Sequence, residues 1–152
     1  MVNHSLNTHI LEYDHQANYR SMISWTSAGE IIIQEMAAGP NGRLLVALRN
    51  AGTFDVDPSS GVTNLTATYR GAQNYWQRGN VLAAINRNTL NLDWYFEMES
   101  RELLMDYILK YDALKNQWWF CGRYMGNFVT FDTPGFGRNR GGSAYDYDAF
   151  FL

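Results

Sequence analysis

The chain predicts an all-β protein, a single antiparallel up-and-down barrel of about eight to nine strands. Three observations carry that expectation. Leu90, Leu92, Trp94, Phe96 and Met98 alternate with Asn91, Asp93, Tyr95, Glu97 and Glu99, the period of two that keeps one face of a pleated strand dry. Turn-forming clusters such as Gly39-Pro40-Asn41-Gly42, Asn50-Ala51-Gly52 and Asp57-Pro58-Ser59-Ser60-Gly61 recur at short intervals, separating β-like runs. No segment keeps the apolar period of a helix.

The 152 residues suit one domain with a real core. Hydrophobic residues make up 46% and aromatics 15%, too much apolar surface for a disordered chain. No apolar run reaches the length of a membrane helix. A formal charge of −3 with ten scattered arginines and only Lys110 and Lys115 offers no basic face for nucleic acid. A single cysteine, Cys121, rules out an intrachain disulfide and a cysteine zinc site. No metal and no cofactor is expected. Met1 is not followed by the basic start and apolar run of a secretory leader, so a cytoplasmic location is expected, with a secreted mature form left open.

Residues 1–18 read as an irregular polar arm holding His4, His9 and His15, whose spacing fits no familiar zinc pattern. The barrel domain spans 19–133. Its runs are 19–26, 30–38, 44–49, 53–56, 62–69 and 81–85, followed by a meander of 89–99, 103–111, 117–125 and 128–132. Residues 134–152 form a tail, Gly/Arg-rich and then aromatic. Its ending, Tyr145-Asp146-Tyr147-Asp148-Ala149-Phe150-Phe151-Leu152, is too aromatic for free solution and is expected to dock on the barrel or on a second copy, making a homo-oligomer.

Loop lengths suggest registers. A two-residue loop at Ser100-Arg101 would set Phe96 against Met105, Trp94 against Tyr107 and Leu92 against Leu109. A four-residue loop at 113–116 would set Tyr111 against Trp118, Leu109 against Phe120 and Tyr107 against Gly122. A Gly126-Asn127 turn would set Tyr124 against Val129. On the opposite face Asp106 and Arg123 become a structural cross-strand ion pair.

The same procedure in the N-terminal half, with Ser27-Ala28-Gly29 as a loop, sets Trp25 against Ile31, Ser21 against Glu35 and Tyr19 against Ala37. A 39–42 loop sets Glu35 against Val46. Glu35 is then the one carboxylate on an apolar face, where desolvation penalises the charged form and poises it for proton transfer with Tyr19. The alternative has Glu35 reaching water or pairing with Arg78.

The expected inward set is Trp25, Trp94, Phe96, Tyr107, Tyr111, Trp118, Phe120 and Tyr124, with Arg78 beside it. Buried Tyr and Trp want partners for their polar atoms, and a bound ligand can supply them. This layout is similar to the calycin-like barrels, which include lipocalins, avidins and small barrel enzymes, over roughly residues 19–132. The lipocalin Gly-x-Trp signature and the avidin ligand motif are missing from the chain, so no family residue is carried over. Three functions are expected in order: a barrel holding a small apolar or aromatic molecule; a cofactor-independent cyclase, isomerase or decarboxylase using Glu35 and Tyr19; and a carbohydrate-binding lectin.

Overall fold

Strands buried on both faces read as continuous apolar runs rather than alternating ones, and residues 44–48 (Leu-Leu-Val-Ala-Leu) and 81–85 (Val-Leu-Ala-Ala-Ile) are two such runs. A computed structural model describes residues 6–27, 29–67, 79–100, 104–125, 128–131, 140–141 and 147–151. In chain order its strands are β1 (Leu6–Tyr13), β2 (Tyr19–Ser27), β3 (Ile31–Ala38), β4 (Arg43–Asn50), β5 (Thr53–Asp55), β6 (Asn64–Thr66), β7 (Gly79–Asn86), β8 (Leu92–Ser100), β9 (Leu104–Asp112), β10 (Gln117–Met125), β11 (Phe128–Phe131), β12 (Arg140–Gly141) and β13 (Tyr147–Phe151). All pairings are antiparallel.

The all-β antiparallel class is as expected, but the strands divide among three sheets, and no closed barrel is found among the described residues. An N-terminal sheet runs β1-β2-β5-β6, a central sheet β12-β11-β8-β7-β4-β3, and a C-terminal sheet β13-β10-β9. The two continuous runs, on β4 and β7, occupy the middle of the central sheet. One of its faces puts Leu44, Val46, Leu48, Val81, Ala83 and Ile85 against Ile23, Trp25, Phe54, Val56 and Leu65 of the N-terminal half. The other puts Leu45, Ala47, Leu82, Ala84 and Met98 against Tyr107, Leu109 and Phe120 of the C-terminal sheet. Each large aliphatic side chain so buried is worth roughly 1.5–3 kcal/mol. Small residues at Ala47 and Ala84, both fully buried, make room for the rings opposite.

Several expected registers are overturned by this partition. β8 pairs with β7 and β11 rather than β9, so Trp94 lies opposite Ala84 and Phe96 opposite Leu82. β2 pairs with β1 and β5 rather than β3, so Trp25 lies opposite Thr8 and Ser21 opposite Glu12. β10 and β11 do not form the expected hairpin, since β10 pairs with β9 and β13 in the C-terminal sheet while β11 pairs with β8 and β12 in the central one; the expected turn residues, 126–127, lie outside the described residues. The β9–β10 hairpin holds where expected, with Tyr111 opposite Trp118 and Leu109 opposite Phe120. A bulge beyond Cys121 then sets Arg123 against Met105 instead of Asp106. A second bulge, in β3, sets Glu35 against Ala47 rather than Val46. A third, opposite the Ala84–Ile85 step, leaves Trp94 and Phe96 facing the C-terminal sheet while Leu92 packs on the other side.

The N-terminal arm is also corrected, because β1 begins at Leu6. Its inward residues include Glu12, whose carboxylate accepts from Ser21 Oγ at 3.0 Å and Arg87 Nη1 at 3.4 Å. That buried-side acid hides the period of two in the sequence. At the other end of the chain, the aromatic tail docks as β13 along β10, with Phe151 opposite Cys121 and Tyr147 opposite Met125. No helix among the described residues is long and apolar enough to cross a membrane.

Candidate functional site

The rings expected to share one lumen fall into two layers. Trp25 lies between the N-terminal and central sheets, 1% exposed, and its indole N–H donates to the Val56 carbonyl at 3.1 Å. Phe96, Tyr107, Trp118 and Phe120 lie between the central and C-terminal sheets. There Phe120 sits 5.4 Å from Tyr107 and 6.4 Å from Phe96, centroid to centroid. The phenol of Tyr107 donates to Asn80 Oδ1. Protein groups thus satisfy the buried polar atoms that a ligand was expected to meet.

Glu35 is half-exposed on β3, and its Oε1 accepts the Met36 backbone N–H at 3.0 Å. Tyr19 opens β2 in the N-terminal sheet, 58% exposed, with its ring 6.1 Å from Tyr13. The two stand on different sheets. Arg78 lies outside the described residues, and the side chains of Asp106, Arg123 and Tyr124 are not among those described.

One end of the layer between the central and C-terminal sheets keeps its rings open. Trp94 is 39% exposed and stacks nearly parallel to Phe96, at 6° and 6.1 Å. Across the central sheet, the edge of the Trp118 indole lies directly on Gly39, where an added Cβ would overlap the ring. Tyr111 tilts against Trp118 at 5.0 Å, its hydroxyl held by Asn116 Oδ1. Between these two aromatic groups runs a polar link. Gly39 donates its N–H to the Arg43 carbonyl at 2.8 Å, and Arg43 Nε donates to Asp93 Oδ2, also at 2.8 Å.

The local sequence explains this arrangement. Alternation along β4 turns Arg43 to the same face as Leu45 and Ala47. Asp93 is the extra residue of the β8 bulge, and bulges re-aim side chains in this way. The β3–β4 and β7–β8 turns are joined by the Arg87 N–H, which donates to the Gly42 carbonyl at 2.9 Å. They add exposed Asn41, Asn88 and Asn91 around the rim.

Comparison with protein-family models, with curated proteins and with solved structures found no match. The chemistry of the rim therefore rests on its own residues. Flat ring faces at Trp94 and Trp118 suit an apolar face of a ligand. The ion pair and amides suit its polar edge. Arg43, Asp93 and Gly39 were not among the sequence candidates. Gly39 reads in the sequence as part of a turn, and Asp93 as one more polar residue in an alternating strand. The bulge that gives Asp93 its role leaves no mark in the alternation.

Proposed function

We propose that this protein is a non-catalytic binding module that takes a small organic molecule with a flat apolar face at the rim between its central and C-terminal sheets. The observation that carries the reading is the exposure of Trp94 on a ring stack that runs inward through half-buried Phe96 to buried Phe120, next to the Arg43–Asp93 pair. Exposed rings backed by a packed core lose little side-chain freedom on binding. The lumen-binding form of this reading has less support, since the inner rings pack on one another and their polar atoms are satisfied. The enzyme reading through Glu35 and Tyr19 has less again, because the two belong to separate sheets.

A saccharide is the second reading. Exposed Asn41, Asn88 and Asn91 in the two joined turns at this end of the central sheet favour it, since an indole stacks on the C–H face of a sugar ring while amides and carboxylates take its hydroxyls. Titration followed by NMR of the tryptophan indole N–H signals tests both. Planar aromatic compounds and monosaccharides are added separately, and saturable shifts at Trp94 and Trp118 are expected, with Trp25 unmoved. Trp94→Ala should weaken the affinity at least about tenfold, the loss expected of a well-packed aromatic contact. Saturable shifts centred on Trp25, or binding indifferent to Trp94→Ala, would exclude the rim.

A further inference from the structure

We infer that the ligand of this rim carries a carboxylate, held by the guanidinium of Arg43; the inference rests on the binding reading above and deepens it. Arg43 is fixed through one atom. Its Nε donates to Asp93 Oδ2 at 2.8 Å, and its side chain is 42% exposed. The two terminal nitrogens have no hydrogen-bond partner among the described residues. A guanidinium is planar, so pinning Nε sets the orientation of the whole fork. The edge left over presents two parallel N–H groups, the geometry that matches both oxygens of a carboxylate.

The neighbouring charges fit this assignment. Asp93 engages the Nε edge, leaving the outer edge to the ligand. Arg87, from the adjoining turn, sends its side chain to Glu12 on the N-terminal sheet. These two pairs balance in sign, so selectivity comes from the directed fork rather than from a broad positive field. Trp94 follows Asp93 directly in β8, so the exposed ring and the carboxylate that holds the fork leave the backbone at neighbouring positions. The shared chemistry is thus a carboxylate attached to a flat or stackable body, either an aromatic acid or an acidic sugar.

Calorimetric titration of the full chain with two matched pairs tests the inference and separates the two sources. The pairs are indole-3-carboxylate with indole-3-carboxamide, and glucuronate with glucose. In at least one pair the acid is expected to bind tenfold or more tighter than its neutral partner. That preference should fall below twofold in Arg43→Gln and be only partly kept in Arg43→Lys, which retains the charge but loses the fork. Equal affinity for acid and neutral members in both pairs, or a preference that survives Arg43→Gln, overturns the carboxylate while leaving the rim as a binding site. No binding by any of the four compounds overturns both.

Discussion

The phenol of Tyr107 donates a 2.8 Å hydrogen bond to Oδ1 of Asn80, joining the C-terminal sheet to the central one through a buried polar pair. Both residues are 6% exposed, so neither atom has water as a substitute. Tyr107→Phe leaves the Asn80 carbonyl oxygen buried without this donor and should destabilise the fold by about 1–3 kcal/mol. Denaturant unfolding of the two proteins measures the difference. A loss below about 0.5 kcal/mol would mean that another donor reaches Asn80.

The same pair sets an alkaline limit. Burial pushes the Tyr107 phenol well above its ordinary value of 10.0, with the Arg49 guanidinium opposing part of the rise. The folded state therefore holds a proton that the unfolded chain gives up first. Its contribution is complete below about pH 10 and is lost as pH rises from there towards the folded value, at up to about 1.4 kcal/mol per pH unit. Stability measured between pH 9 and 11.5 should fall more steeply in the wild type than in Tyr107→Phe.

Gly39 has extended dihedrals, φ −124° and ψ −168°, which any residue can adopt. Its role is space for the Trp118 indole. Gly39→Ala should displace that ring and cost about 1–3 kcal/mol, the usual penalty of overpacking. A lowered melting temperature together with a shifted Trp118 indole signal is the expected result; a stable variant with an unmoved signal would contradict the contact.

Ala17 sits in the β1–β2 turn at φ 64°, exposed, in the left-handed region that costs an L residue about 1–2 kcal/mol. Around it, Asp14 accepts the backbone N–H groups of Gln16 and Asn18 and the Asn18 side-chain amide. Bonding to Asn18, its largest influence, holds the Asp14 carboxyl below its usual range. Ala17→Gly relieves the strain without removing a packed side chain and should stabilise by up to about 1 kcal/mol. Thermal unfolding checks the sign, with Ala17→Val expected to move it the other way.

Removing residues from Tyr147 onward takes β13 from the edge of β10 and bares backbone donors and acceptors along residues 121–125. An uncovered strand edge is a template for another chain. The truncated protein should associate more readily than the full chain, read by light scattering across a concentration series. A truncated protein that associates no more than the full chain would show that β13 does not protect that edge.

Much of the fold was legible in the residues themselves. The strand at 117–125 was readable to its ends from turn residues and alternation, and so were the pairings of Tyr111 with Trp118 and of Leu109 with Phe120, because a short hairpin leaves the chain little choice. Which of Phe96's faces is dry was also readable. What covers that face was not. A period of two requires only that one side be buried, and the requirement is met equally by a neighbour in the same sheet or by another sheet about 10 Å above it. The chain took the second course after β8 and after β2, and contacts between distant residues such as Tyr107 with Asn80 decided it. The rim was hidden for a related reason. Arg43 and Asp93 are 50 residues apart, and only the bulge in β8 and the stacking of three sheets bring that pair between Trp94 and Trp118.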